Sequence, residues 1–170
     1  HRGAPPDSVL AVTFTNKAAR EMRERVAGLL GKSPAGLTLS TFHSLGARIL
    51  RAEARSAGLH KDFSIYDTAD QLSLVRTLVR EVRGAAAGIQ HDSVLWAISR
   101  AKNKFQLPED CSSSASDDWE VVVAHVYRRY QESLRDVNCV DFDDLILLPA
   151  LLMKDDPEVA ERYRARYRYI

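Results

Sequence analysis

Twice near the start of the chain an unbroken apolar and β-branched run precedes a segment whose apolar residues recur every three or four positions. Val9-Leu10-Ala11-Val12-Thr13-Phe14 has the character of a buried strand in a parallel sheet. After it, Ala18, Ala19, Met22, Val26, Leu29 and Leu30 mark one face of a helix. Thr15 or Asn16 is placed to cap that helix, and Gly31 stands where a left-handed C-terminal cap belongs. The opposite face carries Arg20, Glu21, Arg23, Glu24 and Arg25, a solvated surface of mixed sign. Leu37-Thr38-Leu39-Ser40-Thr41-Phe42 repeats the arrangement and leads into a helix expected to run to about Ala57 and stop at Gly58. Two strand-then-helix units in succession predict a parallel sheet with right-handed crossovers.

Beyond Gly58 the strand signals stop, and residues 67–153 read as four helical segments. One opens on a Thr68-x-x-Gln71 capping box with Leu72, Val75, Leu78, Val79 and Val82 inward; another carries Val94, Ile98 and Ala101. A third starts near Asp117 and lines up Trp119, Val122, Val123, Val126, Tyr130, Leu134 and Val137, and the fourth covers residues 142–153. Trp96 and Trp119 are expected in the core, where their rings bury a large area. The polar and acidic residues 109–118 predict a mobile surface loop. Asp155-Asp156-Pro157 opens a last helix, and Arg168-Tyr169-Ile170 has the character of a strand beginning. The fold class is therefore α/β with predominantly helical content: a partial α/β core at residues 1–60, an all-helical insertion at 61–145, and a return segment toward the core at 146–170.

Composition changes this picture little. With 170 residues, 45% hydrophobic and 28% charged, the chain is an ordinary globular one. Its 24 Lys+Arg against 23 Asp+Glu give a net charge of +1, so any nucleic-acid surface must come from local gathering of basic groups. Cys111 and Cys139 lack metal-site spacing, and a reducing cytoplasm fits them. The longest apolar run, residues 145–153, is too short for a membrane span and contains Pro149. The chain opens at His1 without an initiator Met, and both ends read as cut from something longer.

Catalytic machinery is not visible. Gly31-Lys32-Ser33 resembles the tail of a phosphate-binding loop but ends a helix where such a loop must begin one, and Pro34 follows. Asp143-Asp144 and Asp155-Asp156 sit where caps and solvated turns belong, not after a hydrophobic strand. No nucleophile elbow appears, and the histidines are scattered. No catalytic, cofactor-binding or metal-ligating residue is expected on this chain.

The turn Thr13-Phe14-Thr15-Asn16-Lys17-Ala18-Ala19 is chemically distinctive. An exposed aromatic at a strand end can stack on a base, hydroxyl and amide groups can bond phosphate oxygens, and the helix N-terminus adds N–H donors. From chemistry alone the alternative stands beside it: Phe14 in the core and Thr15 merely a cap.

The same turn resembles motif Ia of the superfamily 1 DNA helicases of the UvrD/PcrA/Rep kind, and the resemblance continues in order along the chain. Thr41-Phe42-His43-Ser44, followed by Arg48-Ile49-Leu50-Arg51, is similar to that family's next DNA-contacting motif. Phe63-Ser64-Ile65-Tyr66-Asp67 with Asp70-Gln71, and Ile98-Ser99-Arg100-Ala101-Lys102-Asn103, resemble landmarks of its helical insertion. So do Tyr127-x-x-Tyr130-Gln131 and Val140-Asp141-Phe142-Asp143-Asp144-Leu145.

The resemblance implies part of a RecA-like motor subdomain with its insertion, in a parent that uses ATP and Mg²⁺ to move along single-stranded DNA, usually 3′ to 5′, and to part the duplex. It places the phosphate loop upstream of His1 and the acidic Mg²⁺ motif beyond Ile170, so this stretch alone is expected to lack ATPase activity. It implies that Phe14 stacks on a base while Thr13, Thr15, Asn16 and Lys17 hold the adjoining backbone, and that Thr41, Phe42 and His43 line the same track. Arg100, Lys102 and Asn103, with Lys104, could meet duplex phosphates at the junction; a solvated face is the alternative. The arginines at 162, 164, 166 and 168 are assigned a structural role. Expected partners are single-stranded DNA, the duplex junction, and repair or replication proteins; no membrane is involved. A rival reading, prompted by the near-zero charge and the acidic stretch 109–120, makes the helical part a protein-docking module without direct DNA contact.

Overall fold

The computed structural model describes residues 3–31, 35–82 and 88–170. Helices dominate, with small parallel sheets, as an α/β chain rich in helix requires. The chain divides into two compact units, one of His1–Ala57 with Leu148–Ile170 and one of Gly58–Leu147.

In the first unit, β1 (Leu10–Thr13) and β2 (Thr38–Thr41) pair in parallel, with Leu10 opposite Thr38 and Thr13 opposite Thr41. Both strands therefore end level, and the next residue of each is a phenylalanine. Helix α1 (Asn16–Leu30) follows β1, capped by Thr15 and closed by Gly31 at φ +70°. Lys32 and Ser33 lie outside the described residues; Gly31 ends a helix, as expected. Leu29 and Leu30, expected inward, are exposed. The 15-residue helix is about 22 Å long and the four-residue strands about 13 Å, so the last turn has no sheet beneath it. Helix α2 (Phe42–Ala52) buries Gly46, Ile49 and Leu50 and stops five residues earlier than its periodicity predicts. Residues 53–58 form turns instead, with Gly58 at φ +69°.

The C-terminal segment returns to this sheet. Leu10 N–H donates to the Tyr169 carbonyl at 2.8 Å and Tyr169 N–H to the Ser8 carbonyl at 3.1 Å, a short parallel bridge on the β1 side. The buried Tyr167 hydroxyl lies 3.2 Å from Thr38 Oγ1 and accepts from Arg48 at 3.3 Å.

The second unit packs α3 (Thr68–Glu81), α4 (His91–Asn103), α5 (Pro108–Ser114) and α6 (Asp118–Asp136) around Val75, Val94, Ile98, Val126, Tyr127 and Tyr130. A second parallel pair, β3 (Ser64–Ile65) with β4 (Cys139–Val140), exists where no strand was expected; two residues each are too few for a period to register. The capping box of α3 is Asp67 with Asp70, one residue before the expected Thr68 and Gln71. The expected loop 109–118 is largely the helix α5. Pro108 sets its first turn, Asp110 accepts from Leu107 N–H at 2.8 Å, and Ser112, Ser113 and Ser114 donate to carbonyls four residues back.

Trp96 is 64% exposed, not core, because it lies two residues from both Val94 and Ile98 and so faces away from them. Trp119, in the first turn of α6, and Val137, just past its end, are also exposed. Helix α7 (Asp144–Asp155) contains Pro149 and the boundary between the units, and α8 (Pro157–Arg166) follows, capped by Asp156. Among the described residues no helix is long and apolar enough to cross a membrane, and no group of His, Cys, Asp and Glu could hold a metal ion.

Candidate nucleic-acid interface

The level ends of β1 and β2 bring Phe14 and Phe42 together. Their ring centroids lie 5.4 Å apart at 43°, a tilted aromatic pair. Phe14 is 86% exposed and Phe42 40%, so the pair stands in solvent at the mouth of the sheet. Within this chain Phe14 is therefore not a core residue. A phenyl ring left in water forgoes about 1.5–3 kcal/mol of burial, which folding alone does not explain.

Polar groups flank the rings. Thr13 is half-buried at the end of β1; Thr15, Asn16 and Lys17 are exposed. Thr15 Oγ1 accepts from Ala18 N–H at 3.1 Å, which leaves its own hydrogen to donate. Lys17 lies 3.8 Å from Glu21, both exposed, a pair too weak to immobilise the ammonium. Thr41 is buried and committed: its Oγ1 accepts from Ser44 N–H and donates to Ser44 Oγ. It sets the α2 terminus and does not face outward. His43 is half-buried in the first turn of α2.

Both helices beginning here lack acidic residues in their first turns, whereas α3, α4, α5, α6, α7 and α8 all carry them. Carboxylates there stabilise a helix through its dipole. Their absence beside the aromatic pair leaves two positive helix ends open to an anion.

The second expected set, in the helical unit, is taken apart by the structure. Lys102 is 1% exposed, its Nζ 2.7 Å from Asp141 Oδ2 and 2.8 Å from Asp144 Oδ1. A sealed ammonium already shared between carboxylates cannot meet DNA phosphates, so Lys102 is withdrawn from the DNA-contacting set. The spacing Val94, Ile98, Lys102 puts it on the inward face, a signal the local run of basic residues masked.

Asp141 and Asp144 also cap each other, Asp144 N–H donating to Asp141 Oδ1 at 2.9 Å and Asp141 N–H to Asp144 Oδ2 at 3.1 Å. Of the caps and solvated turns expected at Asp143-Asp144, Asp144 takes part in a cap, and it is buried where a solvated group was expected. Tyr130 completes the cluster by donating to Asp141 Oδ2 at 2.9 Å. Burial pushes the Asp144 carboxyl up to about 6; Lys102 opposes that shift and Asp141 adds to it. Burial, then the Asp141 charge, also raises the Tyr130 phenol.

Arg100 stays exposed, its guanidinium 5.4 Å from the Trp96 ring, and Lys104 is exposed beside it. Asn103 is engaged, donating to Ser99 O at 2.8 Å and Asp143 Oδ1 at 3.0 Å. Near the C-terminus, Arg162 pairs with Glu53 at 2.7 Å, Arg164 with Glu161 at 2.6 Å, and Arg166 lies over Tyr167.

The whole chain, residues 1–170, matches the family described as UvrD/REP helicase N-terminal domain. It is 43% identical over 165 residues to the ATP-dependent DNA helicase PcrA of Bacillus subtilis (strain 168), covering 97% of this chain and 22% of that protein. To the ATP-dependent DNA helicase Rep of Escherichia coli (strain K12) it is 42% identical over 168 residues, 95% of this chain and 24% of that one. PcrA of Leuconostoc citreum is 41% identical over 166 residues, again 97% of this chain and 22% of its own length. The chain thus spans about a fifth to a quarter of the relatives it matches. Matching that family along its whole length, with relatives about 40% identical over nearly all of it, the chain belongs to the UvrD/REP helicase N-terminal domain family.

Proposed function

We propose that this chain grips single-stranded DNA for an ATP-dependent helicase, the activity its relatives' names carry. Phe14 stacks on an unpaired base, with Phe42 behind it. Thr13, Thr15, Asn16 and Lys17 bond the adjoining backbone, His43 extends the track, and Thr41 holds the α2 terminus in place. Arg100 and Lys104 meet duplex phosphates; Asn103, whose two amide hydrogens go to Ser99 and Asp143, ties α4 to the Asp143 turn and leaves the DNA-contacting set, and Lys102 supports the helix from inside the unit. The helical unit is the insertion of a RecA-like α/β core, and movement is 3′ to 5′.

The observation that carries this reading is the 86% exposed Phe14 ring against Phe42, beside two helix ends free of acid. Stacking is indifferent to base identity and phosphate contacts carry no sequence information, which suits a motor that must walk over any sequence.

ATP and Mg²⁺ are assigned to the whole protein. The strand-to-helix turns here hold Phe14 and Phe42 where a phosphate loop needs glycines, so these turns do not suit the triphosphate. Fluorescence anisotropy with labelled oligo(dT) tests the grip. A base–aromatic stack is worth about 1–3 kcal/mol, so Phe14→Ala should weaken binding by about 5- to 150-fold; unchanged affinity refutes it.

The rival docking module draws on the exposed Trp96 and Trp119, which line one groove of about 340 Å³ with Arg100 and Lys104. A salt series separates the two, since DNA binding must weaken as counterions compete and a protein-only module binds no oligonucleotide even at low salt.

A further inference from the structure

A cleft of about 380 Å³ lies between α1 and α2 beside β2, and the aromatic pair does not account for it. Its described lining includes Asn16, Arg20, Arg23, Ser40, Ser44 and Arg48, with three arginines and no carboxylate. Two of the guanidinium groups are fixed by the fold: Arg23 donates to the Leu39 carbonyl at 2.9 Å, and Arg48 to Thr38 Oγ1 at 3.4 Å and the Tyr167 hydroxyl at 3.3 Å. Each keeps further N–H donors, because a guanidinium carries five. Arg20 is exposed and makes no ion pair or hydrogen bond among the described residues. Ser40, 8% exposed, lines the same cleft with a buried hydroxyl that has no hydrogen-bond partner.

Concentrated positive charge without a counter-ion, forked donors and an unpaired hydroxyl together suit an anion with several oxygens. The cleft also shares Asn16 with the turn that carries Phe14, and Thr41 with the turn that carries Phe42. The cleft thus adjoins both ring-bearing turns, although neither ring lines it. We infer that the cleft takes one backbone phosphate of the strand whose base stacks on Phe14, with Arg20 supplying the free charge and Ser40 a hydroxyl. This rests on the reading that the aromatic pair holds single-stranded DNA.

The test measures oligo(dT) affinity of the full-length protein across a sodium chloride series, for the wild type and for Arg20→Gln, Ser40→Ala, Phe14→Ala and Arg25→Gln. Arg25 is an exposed arginine of α1 outside the cleft. One single-strand phosphate contact contributes about 0.7 to the slope of log K against log salt. Arg20→Gln should flatten the slope by about that much and weaken binding to every sequence alike, while Arg25→Gln leaves the slope unchanged. Ser40→Ala should weaken binding with no fall in melting temperature, since it removes a group unpaired in the free protein. Phe14→Ala should weaken binding at unchanged slope, because a stack carries no charge.

Equal flattening by Arg20→Gln and Arg25→Gln overturns the inference, because the effect would then be a diffuse field. If Phe14→Ala weakens binding while Arg20→Gln and Ser40→Ala do nothing, the cleft assignment fails and the aromatic grip survives. If Phe14→Ala also does nothing, both fail. Inorganic phosphate that raises the melting temperature of the wild type but not of Ser40→Ala, with no change in the DNA slope, overturns the strand assignment in favour of a free anion.

Discussion

Replacing Lys102 by methionine keeps the length of the side chain and removes its charge, leaving Asp141 and Asp144 buried without their ammonium. Removing one partner from a buried ion pair costs about 3–5 kcal/mol, because the other charge is left uncompensated. The cost depends on pH with a definite sign. Asp144 titrates near 6 in the folded chain, above the usual carboxylate value of 3.8, so between these values the folded state binds more protons than the unfolded one. Its contribution therefore favours folding at low pH and is lost as pH rises, by about 2 kcal/mol between pH 4 and pH 7. Without Lys102 the carboxyl pair holds its proton more tightly still. Lys102→Met should lose about 3–5 kcal/mol at pH 7.5 and clearly less at pH 5, where a proton replaces the missing charge. Urea unfolding followed by tryptophan fluorescence measures this directly, since both tryptophans, Trp96 and Trp119, belong to the helical unit. A loss below about 1 kcal/mol at pH 7.5, or the same loss at both pH values, would mean that Lys102 does not neutralise the carboxyl pair, because breaking a buried pair must exceed the first and be pH-linked. Adding Asp141→Asn and Asp144→Asn to Lys102→Met should recover much of the stability, as neutral replacements of buried ion networks do.

Two further outcomes follow from the geometry. Asp67→Ala should destabilise the helical unit by about 1 kcal/mol in the same urea assay, whereas Thr68→Ala should stay within about 0.5 kcal/mol, because Asp67 is the cap of α3. Tyr167→Phe should lower the opening free energy of the α/β unit, read from hydrogen exchange of the β2 amides, by about 1 kcal/mol, since it removes the hydroxyl shared with Thr38 and Arg48.

Much of the α/β unit was legible because its cues are local. Thr15, Gly31 and the apolar runs mark strand, cap and helix within a few residues of one another. What periodicity could not tell was that Phe14 stands in solvent. That depends on the register of β1 with β2, a pairing between residues 28 apart, as Leu10 opposite Thr38 shows. Lys102 failed for a related reason. Its neighbours Arg100 and Lys104 advertise a basic surface, while the carboxylates that draw it inward, Asp141 and Asp144, lie about 40 residues downstream. Helix α5 was hidden by its serines, which usually mark loops but here donate back to the helix's own carbonyls. Trp96 shows that hydrophobicity alone misplaces a residue when its angular position on the helix is not counted against Val94 and Ile98.

Photo-cross-linking locates the side chain on which a base rests. The full-length protein is irradiated with oligo(dT) bound, and the attached peptide is identified by mass spectrometry. Attachment at Phe14, lost in Phe14→Ala, is the predicted result; attachment at Trp96 or Trp119 with none in the Phe14 peptide would contradict it.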